Sequence, residues 1–179
     1  MSGLHEIART ILNFTGTVSH WLDRLAAAIC ILFGIGILVS IDVAIFSRYV
    51  TQASLLWPEE VARWLMVWIT FLGASVGLKR KALIAFEFLV NTYPPALRRF
   101  ADIAIKLSIL FFLGWFLVYG VVTMEAAAKF SGAGTGISHF WPALGPFVGG
   151  VIMVVHLLHA TLEDVFGVSG TAGDRQSGM

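Results

Sequence analysis

Four apolar runs, each close to the length of a bilayer crossing, leave this chain few folds to choose from. They lie at about 22–46, 61–78, 101–124 and 141–162, and a spanning helix needs about 20 mostly apolar residues. Hydrophobic residues make up 58% of the 179 positions and charged residues only 13%, against roughly a quarter charged in soluble domains. So much apolar surface has no place in water, and lipid demands that backbone polar groups be satisfied within the segment, which predicts helices. The predicted fold is all-α and integral to the membrane. It has one four-helix membrane domain over 1–166, an amphipathic helix at the N-terminus, an interfacial helix between spans two and three, and a disordered tail over 167–179.

Local signals place the elements. The first span carries Ala26, Ala27, Ala28, Gly34 and Gly36, small residues suited to close helix approach. Trp57-Pro58-Glu59-Glu60 starts the second, with proline in the first turn and acids beside the positive helix end. After Lys79-Arg80-Lys81 the apolar piece Ala82 to Val90 is too short to span and is predicted to lie along the membrane surface. Leu4 to Val18 is predicted to do the same. Ser131 to Gly136 reads as a flexible connection, and Pro142 and Pro146 sit near the start of the fourth span. The polar N-terminus predicts no cleavable signal, so the first span would be its own targeting signal.

Orientation follows from lysine and arginine, which stay cytoplasmic. Setting the basic loop between spans two and three inside places both termini inside and leaves Arg48, Arg63 and Lys129 as the basic residues near the outer face. A net charge of +1 without a basic stripe argues against nucleic acid as a partner. Cys30, in an apolar helix, is predicted to pack as a small hydrophobe.

Ionisable residues in a span are functional candidates because burying them in hydrocarbon is costly. Asp42, Lys106 and Glu125 all lie near span ends, where they could reach an interface. A denser group, Asp42, Arg48, Glu59, Glu60 and Arg63, falls at the outer face, with Glu59 and Arg63 as i,i+4 neighbours. It reads either as a salt-bridge network joining spans one and two or as an interface for another subunit. His156 and His159 share a helix face at a spacing that could supply two ligands, but no histidine occurs in the first three spans. Packing is the simpler reading, and no metal or cofactor is expected in this chain. Gly73 with Gly77, and Gly145 with Gly149, form small-xxx-small ridges that could pack within the bundle or against a partner. No nucleophile with a base, no carboxylate pair within the membrane and no phosphate cradle occurs, so an enzyme is not expected.

Arg48-Tyr49, then Trp57-Pro58-Glu59-Glu60-Val61-Ala62-Arg63, Trp68 and Phe71-Leu72-Gly73-Ala74 resemble the small membrane (Q) subunit of tripartite ATP-independent periplasmic (TRAP) transporters, the DctQ-like family. Tyr93-Pro94-Pro95-Ala96-Leu97-Arg98-Arg99 and Pro146 with Gly149 are similar to its later features. Lys81-Ala82-Leu83 followed by Glu87 stands where the family often carries Gly-x-His and an acid.

The resemblance implies a subunit of a secondary uptake system in the bacterial inner membrane. It would stand beside a large subunit carrying substrate and sodium ions in a stable heterodimer, and would help a periplasmic substrate-binding protein to dock transiently. Substrate would be a small organic anion, and this chain would resemble the separate form of the subunit rather than the fused one. Arg48, Tyr49, Trp57, Glu59, Glu60, Arg63 and Trp68 would form the outer-face network or interface. The competing reading is a small homo-oligomeric exporter using Asp42 or Glu60 as a proton-coupled carboxylate.

Overall fold

The structure is a computed structural model that describes residues 2–53, 55–80 and 95–165, with side chains described over 15–53, 55–80 and 104–162. It is built of helices: α1 Ser2–Tyr49, α2 Trp57–Lys79, α3 Pro95–Ala127 and α4 Phe140–Val165. Each contains a stretch long and apolar enough to cross a membrane, Thr15–Tyr49, Trp57–Lys79, Ala104–Ala127 and Phe140–Leu162. This is the all-α, four-span fold that the apolar runs predict. The interfacial segment from Leu83 to Val90 and the tail over 167–179 lie outside the described residues.

Helix α1 departs from expectation. The N-terminal segment is not a separate helix but continues into the first span. Its 48 residues rise about 72 Å at 1.5 Å each, more than twice the ~30 Å hydrocarbon thickness. Continuity is possible because Thr15, Ser19 and Asp23, polar residues one turn apart, find partners on other helices.

Helix α2 begins where the sequence places it, with Pro58 in the first turn and Glu59 and Glu60 beside it. It ends as the Arg80 amide bonds the Val76 carbonyl at 3.0 Å. Helices α1, α2 and α4 meet one another, whereas the backbone of α3 approaches only α4. Among the described residues the four therefore do not close into a bundle: α3 is outboard, and Phe116 reaches across to stack on Phe71 of α2 at 5.8 Å.

Where α1, α2 and α4 meet, Ala26, Leu72 and Ile152 are buried, ringed by Leu22, Cys30, Phe33, Trp68, Val76 and Val148. Lipid is as apolar as leucine, so close approach rather than water exclusion holds such an interface. Two of the four ridge glycines provide it. A Cβ at Gly145 would stand 3.3 Å from Trp68, and one at Gly149 would stand 2.7 Å from the Cβ of Phe71 and 2.8 Å from its carbonyl carbon. At Gly73 and Gly77 a Cβ would meet nothing within 4 Å.

Candidate functional site

Polar side chains gather at the two ends of the molecule. The first group lies at the end carrying the α1–α2 and α3–α4 loops. Arg48, in the last turn of α1, donates from Nη2 to Oε1 of Glu59 in the first turn of α2, an exposed pair that closes the loop between them. Glu59 is thus engaged by Arg48 and not by its i,i+4 neighbour. Arg63 is exposed and makes no ion pair among the described residues. A helix-surface pair of that kind contributes only about 0.2–0.5 kcal/mol, so a guanidinium arriving across the loop readily displaces it.

Glu60 turns the other way. Its Oε2 accepts the backbone N–H groups of Gly134 at 3.0 Å and Thr135 at 2.9 Å, while Oε1 lies 3.6 Å from His139 Nε2. The loop that holds it is built for the purpose. Gly132 N–H bonds the Ile137 carbonyl at 2.8 Å, Gly136 N–H the Gly132 carbonyl at 2.9 Å, and His139 N–H the Phe130 carbonyl at 2.9 Å.

Three glycines are needed for distinct reasons. A Cβ at Gly132 would overlap the Glu60 carboxylate, one at Gly134 would stand 2.6 Å from the Trp57 amide nitrogen, and Gly136 adopts φ +68°. The stretch expected to be a flexible connection is a hydrogen-bonded clasp around one carboxylate. Trp64 sits edge-on to His139 at 6.2 Å. One turn on, the Trp68 indole donates to the Trp141 carbonyl at 3.1 Å. Tyr49 and Trp57 are exposed. Asp42 stands apart from this network: it is exposed and has no hydrogen bond or ion pair among the described residues.

The second group, at the opposite end, contains the two histidines singled out from sequence, His156 and His159, but their partners on α1 were not. Asp23 of α1, buried, accepts from Nε and Nη2 of Arg80 at 3.3 Å each. Ser19 and His156 Nδ1 share a hydrogen bond of 2.9 Å, and Thr15 and His159 Nδ1 one of 3.0 Å. The two histidines therefore serve separate α1 hydroxyls, and no group of three or more potential metal ligands occurs among the described residues. Lys79 Nζ and His156 Nε2 are buried beside this seam, without a hydrogen-bond partner among the described residues. The i,i+4 recurrence of Thr15, Ser19 and Asp23 was the available signal.

Fold and polar assemblies together define a multi-pass helical membrane protein whose charged and polar side chains fasten helix to helix. Residues 37–167 match the family described as "Tripartite ATP-independent periplasmic transporters, DctQ component", and the chain belongs to that family. It is similar to the "Sialic acid TRAP transporter permease protein SiaT" of Haemophilus influenzae (strain 86-028NP), 30% identical over 125 residues that cover 70% of this chain and 20% of that one. It is also similar to the "Sialic acid TRAP transporter small permease protein SiaQ" of Vibrio cholerae serotype O1, 27% identical over 129 residues, covering 70% of this chain and 75% of that one. The match thus spans only a fifth of the length of SiaT. The family is one of transporter components rather than enzymes, and the chain is a multi-pass protein of the inner membrane.

Proposed function

We propose that this chain is the small membrane subunit of a TRAP-type secondary uptake transporter. It braces a large, sodium-coupled transport subunit in a stable heterodimer and supplies part of the surface on which a periplasmic substrate-binding protein docks. In this reading the loop end faces the periplasm and both termini are cytoplasmic, in keeping with the placement of lysine and arginine. Substrate is a small organic anion, a carboxylate or a sugar acid such as sialic acid, as the names of the two relatives support.

The observation that carries the reading is the Glu60 clasp. By binding the amides of Gly134 and Thr135, Glu60 joins the start of α2 to the α3–α4 loop, turning two loops into one fixed surface, as a docking platform requires. The clasp also engages Glu60, one of the two carboxyls that a stand-alone exporter could use for proton coupling, the other being Asp42.

The test is to purify the tagged chain from its native membrane under mild solubilisation and measure what accompanies it. A many-span TRAP subunit in stoichiometric amount is expected. Within that complex, Glu60→Ala lowers uptake at least tenfold when the binding protein is supplied. Recovery of homo-oligomers alone, or transport by this chain alone in vesicles, would overturn the proposal.

A further inference from the structure

Asp42 is the one acidic residue on a long apolar stripe of α1. At about 100° per residue it lies about 160° around the helix from Ala26 and Ser40, both buried against the rest of the chain. It therefore points directly away from α2 and α4. Within about 40° of its azimuth lie Ile31, Ile35, Leu38, Phe46 and Tyr49, all 55 to 76% exposed. Three- and four-residue steps of this kind make a seam for another helix.

Asp42 is set back from the loop end of the helix. Asp42 is six residues short of Arg48, about 9 Å along the axis, and Arg48 with Glu59 marks the level of the loop end. A lysine or arginine can extend its charge over such a distance, but aspartate is too short. A carboxyl within a span ordinarily pairs or faces a wet cavity, and Asp42 has no partner among the described residues.

We infer that the Ile31 to Tyr49 stripe of α1 is covered by a helix of the large transport subunit, which presents a cationic or hydrogen-bond-donating side chain to Asp42. This rests on the proposed function and names the face that it uses. Lipid tails offer no donor. A second copy is unfavourable for a geometric reason: two copies inserted with the same orientation pair about an axis along the membrane normal, so residues on a shared seam meet their own counterparts. Asp42 would then face Asp42, and like charges at low dielectric repel. A different chain can bring the complement and, as with single polar residues in helical seams, fix the register.

The test places a photo-crosslinking amino acid at Leu38 and, separately, at Phe46 in the assembled transporter, maps the crosslinked peptides, and compares Asp42→Asn and Asp42→Leu with wild type in co-purification. Crosslinks to spans of the large subunit are expected. Recovery of that subunit should fall at least tenfold in Asp42→Leu and less in Asp42→Asn, with both variants monodisperse. Crosslinks confined to lipid or to a second copy, or unchanged recovery in Asp42→Leu while wild type retains the large subunit, would overturn the inference and leave the proposed function standing. A wild-type chain that recovers no large subunit overturns both.

Discussion

Replacing Gly149 by alanine tests the packing at its tightest point. A Cβ there would stand at 2.7, 2.8 and 2.9 Å from Cβ, C and O of Phe71, where ordinary contact begins at 3.4 Å. Two of these atoms are backbone, so no rotamer change relieves them, and α2 and α4 must part by about 0.7 Å. Forcing one extra carbon into a packed seam costs about 1–3 kcal/mol. Gly73→Ala is the matched control, because its Cβ would meet nothing within 4 Å. Both changes carry the same gain in helix propensity, about 0.5–1 kcal/mol, so their difference isolates the steric cost. Reversible unfolding of the isolated subunit by sodium dodecyl sulfate in mixed micelles, followed by tryptophan fluorescence, measures it. The expected result is Gly149→Ala less stable than Gly73→Ala by about 1–3 kcal/mol. Equal stabilities would refute the placement of α4 against Phe71.

Two other contacts have their own tests. Glu60→Ala removes the acceptor of the Gly134 and Thr135 amides, so hydrogen exchange at those two positions should rise at least tenfold; unchanged protection would show that the loop holds itself without the carboxylate. Ser19→Ala leaves Nδ1 of buried His156 unpaired and should cost about 1–3 kcal/mol, whereas Ser19→Ala with His156→Leu recovers most of that loss, because removing both partners spares the desolvation penalty. Additive losses in the double variant would sink the hydrogen bond as the source of the effect.

The spans were legible because run length alone decides between water and lipid, and α2 was legible down to its first turn because Pro58 and the two acids are local signals. What was not legible depends on contacts between distant residues. Polarity in Thr15, Ser19 and Asp23 looks like a segment resting at an interface until His159, His156 and Arg80 are known to lie opposite. Five glycine, serine and threonine positions from Ser131 to Gly136 look slack until a carboxylate 74 residues away enters the loop. Glu59 shows the same limit from the other side. Its helix neighbour Arg63 was the visible partner, and Arg48, brought in by the turn between α1 and α2, takes it.

These long-range pairs divide the molecule mechanically. Arg48–Glu59 and the Glu60 clasp fasten one end, while Asp23–Arg80, Ser19–His156 and Thr15–His159 fasten the other. Between them Gly145 and Gly149 draw α2 onto α4. Helices α1, α2 and α4 are therefore pinned at both ends and in the middle, and α1 cannot slide or tilt without breaking partners at two levels. That rigidity leaves the outward stripe of α1 presented at a fixed depth. A partner helix seated on it, as inferred above, would find Asp42 always at the same height.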